Sequence, residues 1–399
     1  MRLFFTDKLI HFSYSNSVPS RANSGRSQRR SLEVLVFTPP LDRSGGIGAL
    51  FSYARPFFPQ DINVKFIDTR GYAENPLWSI FPLTKAIFLL FKLRFQNRVD
   101  VIHLNLGAHG SAFRKIIIGT FTTKLLRIPT IFQIHASAFE VFFNTLPPFL
   151  KKYFLSILNG AYKILVLGSI SKAMMENIGC KSHLLEIFQM GVPELSVQIK
   201  SSSREKPSNK ATRKNPIILF AGELGQRKGL PQTLESIASY KDDFPYLIVA
   251  GSGNVEIWQN FAESLNIGKR VSFVGLISYS AIHSYLNDID ALILPSQAEG
   301  LPVSVLECFS AGKIPIVTIS GNLGDFLNSE NSIIISKPTC EGISEAIQVF
   351  CNLYNLDQCF NMQYNAKRLW VEYFDASKTT IKLVKIWQSA SIEESSRSA

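Results

Sequence analysis

The sequence predicts an α/β protein of two Rossmann-like domains facing a central cleft. Three observations predict it. A chain of 399 residues is longer than one ordinary hydrophobic core organises. From residue 32 onward, short runs of Val, Ile, Leu and Phe alternate with longer amphipathic stretches, the pattern of βαβ units in a parallel sheet. That pattern stops at a polar segment near residue 200 and then begins again.

Residues 1–30 read as a disordered basic tail. Arg2, Lys8, Arg21, Arg26, Arg29 and Arg30 stand against Asp7, a net +5. No continuous apolar run marks them as a secretory signal, although their Ser- and Arg-rich, acid-poor composition also suits a transit peptide. The first domain is expected over 31–195. Its buried strands are predicted at Leu32–Pro39, Val64–Asp68, Val99–Asn105, Thr130–His135 and Ile164–Ser169, with helices near 78–97, 111–127 and 147–160. Residues 196–215 (SVQIKSSSREKPSNKATRKN) read as a linker. The second domain is expected over 216–374, with strands at Pro216–Ala221, Tyr246–Ala250, Val271–Val274, Ala291–Pro295, Ile314–Thr318 and Ile333–Ser336. Residues 375–399 end the chain, with a helix to about 390 expected to cross back toward the first domain before a short tail.

Hydrophobic residues make up 46% of the chain and charged residues 18%, which is a globular composition. The formal net charge is +11 and the isoelectric point near 9.3, so nucleic-acid binding has to be weighed. Residues 200–215 hold six Lys and Arg against one acid, a further +5, so the tail and this segment account for +10 of the +11. A nearly neutral remainder requires no large basic face, and no nucleic-acid partner is expected. The five Cys are scattered without C-x-x-C spacing, which reads as reduced thiols in a cytoplasmic protein without a zinc site. The longest apolar stretch, Phe81–Phe95, is broken by Lys85, Lys92 and Arg94, so no membrane span is expected. Aromatic and basic residues at 85–95 and at Phe142, Phe143, Phe149, Lys151, Lys152, Tyr153 and Phe154 suit peripheral contact with an anionic bilayer, and equally suit buried helices with basic ends.

Ligands of open parallel sheets bind at the carboxyl ends of the strands, and the chemistry-bearing motifs follow strands here. The strongest is the segment 291–312, ALILPSQAEGLPVSVLECFSAG. A strand ends at Pro295, Gly300 sits in a turn, Pro302 suits the start of a helix, and Gly312 suits its end. Glu299 and Glu307 flank the helix start, whose N–H groups suit a diphosphate. Phe220–Gly229 (FAGELGQRKG) places Arg227 and Lys228 after the first strand of the second half. Gly45 and Gly46, in Ser44-Gly45-Gly46-Ile-Gly48, permit close approach of the first-half backbone to a ligand. His103 and His135 both end predicted strands. Arg114 and Lys115 follow the third strand, where an anionic ligand and a solvated helix start are equally good readings. Asp288-Ile-Asp290 spells D-x-D but runs directly into a strand, so it reads as structural and no metal is expected.

The segment around Glu299 and Glu307 resembles the E-x7-E motif of family 4, the group 1 retaining glycosyltransferases of the GT-B fold. The resemblance covers nearly all of residues 32–390. It implies a sugar transferred with retention from a UDP-, GDP- or ADP-sugar to a hydroxyl of a glycan or lipid-linked acceptor, in polysaccharide or glycoconjugate synthesis, with no cofactor and no metal. It implies catalytic roles for Glu299, His135 and Lys228. It implies donor binding by Gly45, Gly46, Arg227, Lys228, Gly300, Leu301, Pro302, Val303 and Glu307, with Glu299 at the sugar and Glu307 at the ribose hydroxyls. Acceptor binding falls to Arg114 and Lys115 in the first domain, in a cytoplasmic protein that touches the inner face of the membrane peripherally. The segment at 220–229 is similar to the family's G-R-L-x-x-x-K-G loop, with Glu223 where the family has Arg. That departure leaves a degenerate, non-catalytic binding subunit as the alternative.

Overall fold

The computed structural model of the chain describes residues 30–41, 45–69, 80–137, 139–195, 215–240, 245–278 and 281–398. The expected tail (1–30) and linker (196–215) lie outside them except for Arg30 and Asn215, and Ser44 lies outside them too.

The first half runs β1 (Leu32–Phe37), α1 (Gly46–Ala54), β2 (Ile62–Ile67), α2 (Ile80–Phe95), β3 (Val101–Leu106), α3 (Gly110–Thr120), β4 (Thr130–Ile134), α4 (Phe139–Asn144), α5 (Pro148–Leu158), β5 (Lys163–Val166), α6 (Ser169–Asn177) and β6 (Leu185–Ile187). The second runs β7 (Ile217–Ala221), α7 (Leu230–Ala238), β8 (Tyr246–Ala250), α8 (Val255–Ser264), β9 (Val271–Gly275), α9 (Ile282–Asp288), β10 (Ala291–Leu294), α10 (Val303–Ser310), β11 (Ile314–Thr318), β12 (Ile333–Ile335), α11 (Cys340–Asn355), α12 (Phe360–Leu369) and α13 (Ala376–Ser398). Each half holds a six-stranded sheet, ordered β2-β1-β3-β4-β5-β6 and β12-β11-β10-β7-β8-β9, and the strand pairs are parallel. This is the α/β two-sheet architecture expected.

Local differences from the expectation have physical causes. Strand β5 ends at Val166 rather than Ser169, because Gly168 and Ser169 open α6 instead. Strand β6 and helix α4 are too short, at 3 and 6 residues, to leave a period in the sequence. Helix α3 passes directly into a wider π-helical turn at Phe121–Leu125, so one continuous helical pattern in the sequence covers both.

The strand order reverses between β1 and β3 in the first sheet and between β7 and β10 in the second. Such switch points splay the following loops apart and open a crevice at the carboxyl ends of the strands. Three apolar cores hold the elements. One covers the outer face of the first sheet and includes Phe37, Leu90 and Phe154. Another covers the outer face of the second sheet and includes Phe220, Ile316 and Phe350. The third is shared by both halves and joins Val36 and Phe51 to Leu219, Val305, Phe374 and Trp387. Each such fully buried side chain contributes roughly 1.5–3 kcal/mol. Helix α13 leaves the second half at Asp375 and packs on α1, β1 and β3. Its Trp387 indole donates to His103 Nδ1 at 3.2 Å. That fixes His103 as a neutral ring whose Nε2–H meets Gln133 Oε1 at 3.1 Å, and burial holds its pKa down at about 3. Gly191 packs where a Cβ would lie 2.1 Å from the Phe374 carbonyl oxygen, so only glycine fits where the chain crosses between halves.

Candidate active site at the two switch points

Strand β10 delivers Pro295–Pro302 as a turn and then α10. Pro302 stands just before the first helical residue, and Gly312 stops the helix with φ +63. The turn is clamped from beneath and from across the cleft. Gly321, with φ +55, lies so close that a Cβ there would sit 1.8 Å from the Glu299 carbonyl oxygen. Asn322 donates to the Gly300 carbonyl through both its backbone N–H and its Nδ2, each at 3.2 Å. A Cβ on Gly300 would meet the His135 carbonyl oxygen at 2.5 Å, so the turn of the second half rests on the backbone of the first.

Glu299 is buried and ion-paired with Lys228. Lys228 reaches it because the loop after β7 folds tightly. Gly229 (φ +76) passes where a Cβ would be 2.6 Å from the Pro295 carbonyl oxygen, and Gln297 N–H donates to the Arg227 carbonyl at 3.0 Å. Arg227 binds Glu223, four residues before it in the loop after β7, at 2.6 Å, and its other Nη reaches the Ala298 carbonyl at 3.3 Å. Glu223 therefore steers Arg227 toward the turn that carries Glu299.

Glu307 lies on the second turn of α10, buried, and accepts a 2.6 Å hydrogen bond from the Tyr53 hydroxyl of α1. Burial pushes its pKa up to about 7, and the Tyr53 bond pulls the other way. Gly46 opens α1 opposite the start of α10, where a Cβ would meet Val303 Cγ2 at 3.1 Å. Gly45 precedes it, with nothing within 4 Å of where a Cβ would stand. Leu301 packs into the shared core.

His135 follows β4. Its backbone N–H donates to the Leu106 carbonyl at 3.0 Å, and its Nε2 lies 2.8 Å from Asn105 Oδ1. Asn105 Nδ2 is already spent on the Phe37 carbonyl at 3.2 Å, so the amide oxygen faces the ring and Nε2 carries the proton. Burial lowers the His135 pKa to about 4, which leaves a neutral imidazole with a lone pair on Nδ1.

The structure thus brings Glu299, Gly300, Lys228 and Arg227 together at the switch point of the second sheet, with the His135 backbone against Gly300 from the end of β4, and sets Gly46, at the switch point of the first sheet, against Val303. Arg114 and Lys115 lie on α3, and Lys115 reaches to the end of β2. Lys115 is buried rather than solvated. Its ammonium donates to Thr69 Oγ1 at 2.7 Å, and desolvation lowers its pKa to about 7 against the pull of Asp68. Asp290 of the D-x-D is buried and accepts the Ile217 N–H at 2.9 Å, which ties the start of β7 to β10. Sequence reasoning missed Tyr53, Asn105 and the Gly321–Asp325 turn. That turn also bridges the halves. Asp325 accepts the Ser169 N–H at 2.6 Å and Asn322 the Ser171 N–H at 3.0 Å, at the start of α6.

Residues 201–369 match the family model described as glycosyl transferases group 1. The chain is a glycosyltransferase. Among relatives of this glycosyltransferase, the phosphatidylinositol N-acetylglucosaminyltransferase GPI3 subunit of Saccharomyces cerevisiae is 20% identical over 326 residues, covering 80% of this chain and 69% of the yeast one. The N,N'-diacetylbacillosaminyl-diphospho-undecaprenol alpha-1,3-N-acetylgalactosaminyltransferase of Campylobacter jejuni is 23% identical over 283 residues, covering 67% of this chain and 72% of its own. The Anabaena protein HepE, solved with UDP and glucose, superposes with a TM-score of 0.67 at 13% identity, over 90% of this chain and all of its own. That likeness shows the GT-B fold.

Proposed function

We propose that this glycosyltransferase is a retaining, metal-independent enzyme of family 4 that moves a sugar from a nucleotide-sugar donor to a hydroxyl of a glycan or lipid-linked acceptor. The observation that carries the reading is the Glu299–Lys228 ion pair on a turn that precedes α10 and whose Gly300 rests on the His135 backbone. The donor diphosphate lies against the first N–H groups of α10 and the backbone of Gly45 and Gly46, where a helix start favours anions. Lys228 and Arg227 supply the opposing positive charge, which is the service a divalent cation gives elsewhere. Glu307 accepts from the two ribose hydroxyls, and Gly300, Leu301, Pro302 and Val303 line the turn against sugar and phosphate. Glu299 accepts from sugar hydroxyls once Lys228 swings to the phosphate. Neutral His135 offers its Nδ1 lone pair to another sugar hydroxyl.

In the step itself, the bond from the anomeric carbon to the diphosphate oxygen breaks and a bond to the acceptor oxygen forms on the same face. The acceptor proton passes to the departing phosphate oxygen. Glu299 is tied to Lys228 and Glu307 to Tyr53, an arrangement that suits charge stabilisation and positioning better than a nucleophilic carboxylate. Arg114 and Lys115 of α3 serve the acceptor. Both relatives named above carry a lipid in their printed names, phosphatidylinositol and diphospho-undecaprenol, which supports a lipid-linked acceptor and peripheral contact with the cytoplasmic face of a membrane. No described helix is long and apolar enough to cross one.

The test is product analysis. The enzyme is incubated with each candidate nucleotide sugar and simple acceptors in EDTA, and the new linkage is read by NMR. A product with the donor's anomeric configuration is expected. An inverted anomer, or turnover that stops in EDTA, would overturn the retaining, metal-independent assignment.

A further inference from the structure

Helix α2 breaks the rule for a surface helix. Its inner face, Ala86, Leu90 and Leu93, is buried in the core of the first sheet. The opposite face ought to be polar. It carries instead Phe81, Phe88 and Phe95, which are 60%, 73% and 80% exposed. Successive rings are seven residues apart, nearly two whole helical turns, so all three lie along one line spanning about 21 Å. Lys85 and Lys92 stand exposed on the same line between them. Single exposed apolar residues are ordinary, whereas a straight row of three phenylalanines is not.

The charge around this row is mostly positive. Residues 80–163 contain eleven Lys and Arg against two acids, a net +9. The near-neutrality of the chain beyond its tail and linker, which argued against a basic face, is therefore an average over an uneven distribution. The helices that α2 shares its sheet face with repeat the mixture. The π-helical turn after α3 exposes Leu125 beside Lys124, and α5 exposes Phe149 and Lys152, whereas Phe142, Phe143 and Phe154 of the expected aromatic set are buried in the core of the first sheet.

We propose that the outer face of α2 is the surface by which this protein lies on an anionic lipid bilayer, its three phenyl rings entering the headgroup–acyl boundary while Lys85 and Lys92 reach lipid phosphates. The proposal rests on the peripheral membrane contact put forward above and names the face that makes it. Aromatic rings flanked by long basic side chains suit an interface that is apolar on one side and negative on the other. A second copy of the same face would set like charges against each other, and with α2 lying flat the helix anchors without spanning.

The experiment is flotation of the full chain with phosphatidylcholine vesicles containing phosphatidylglycerol, and with pure phosphatidylcholine vesicles, for wild type, Phe81→Ser/Phe88→Ser/Phe95→Ser and Lys85→Gln/Lys92→Gln. Thermal shift with nucleoside diphosphates runs in parallel, to check that each variant is folded and keeps its donor response. The expected result is wild-type binding to anionic vesicles that weakens with salt, a loss of roughly tenfold or more in the triple variant, and a smaller loss in the lysine variant. Triple-variant binding equal to wild type would overturn the proposal while leaving membrane contact to another face. Wild-type binding to neither vesicle would overturn membrane contact altogether, and an intact nucleoside-diphosphate response in that same sample would show the transferase reading standing without it.

Discussion

The two halves of the cleft are built from the same βαβ unit and equipped oppositely. On the second half the side chains are ionic and already paired: Lys228 with Glu299, and Arg227 with Glu223. On the first half they are neutral. His135 is a neutral ring whose Nε2–H donates to Asn105, and Tyr53 offers a hydroxyl. Under the proposed function the difference follows the ligand. A diphosphate needs mobile positive charge that can trade one anionic partner for another, and a sugar needs fixed, uncharged hydrogen-bonding groups.

That contrast breaks most readily at its ionic end. Lys228→Met is expected to lower kcat/KM by about 10²- to 10³-fold, the scale of losing one preorganised charge-stabilising group. It also strands the buried Glu299 carboxylate, at a cost of about 3–5 kcal/mol in urea denaturation. Adding Glu299→Gln should restore most of that stability and none of the rate. Recovery of both in the double variant would reduce the pair to a structural tie.

The contact between halves comes next. In Gly300→Ala the new methyl would lie 2.5 Å from the His135 carbonyl oxygen, which forces the turn off the first half. A misplacement of that kind costs about 10²-fold in kcat. Gly225→Ala, with nothing within 4 Å of its Cβ position, is the matched control and should stay within about twofold.

The pH response sharpens the comparison because the two halves titrate with opposite sign. Glu307 has its folded pKa raised from 4.5 to about 7, so the folded protein keeps a proton that the unfolded chain releases. Its contribution therefore falls as pH rises from 4.5 through 7. His103 and His135 have folded pKa values of about 3 and about 4 against 6.5, so the unfolded chain binds more protons below 6.5. Their contribution is lost as pH falls through that range. Glu307→Gln should remove the first trend and leave stability rising more steeply with pH between 4.5 and 6.5 in thermal melts. An unchanged slope would mean that Glu307 is not held protonated.

The smallest effect is at the α6 clamp. Asp325→Asn keeps a hydrogen-bond acceptor but loses the charge at a helix start. It should cost about 0.5–1 kcal/mol, more at low salt.

Much of this was legible in the sequence, and unevenly so. The strands announce themselves because parallel strands buried on both faces read as apolar runs, and Tyr246–Ala250 and Ile314–Thr318 fall where their composition puts them. The site in the second half is local, so one strand, one turn and one helix spell out Glu299 and Glu307. The first-half contribution is long-range. Tyr53 meets Glu307 from 254 residues away, and nothing around Tyr53 distinguishes it from a core aromatic. Gly321 looked like any loop glycine until Glu299 was seen above it. The row of Phe81, Phe88 and Phe95 was hidden for a related reason, since an apolar residue on a helix reads alike whether it faces the core or the solvent.

The account's central claim, that the start of α10 with Glu307 holds a nucleoside diphosphate, is tested most directly by isothermal titration of UDP, GDP and ADP into wild type and Glu307→Ala, with and without EDTA. It predicts that one of the three binds, equally well in EDTA, and that Glu307→Ala loses the binding while remaining folded. Binding that survives Glu307→Ala unchanged, or no binding by any of the three, would contradict it.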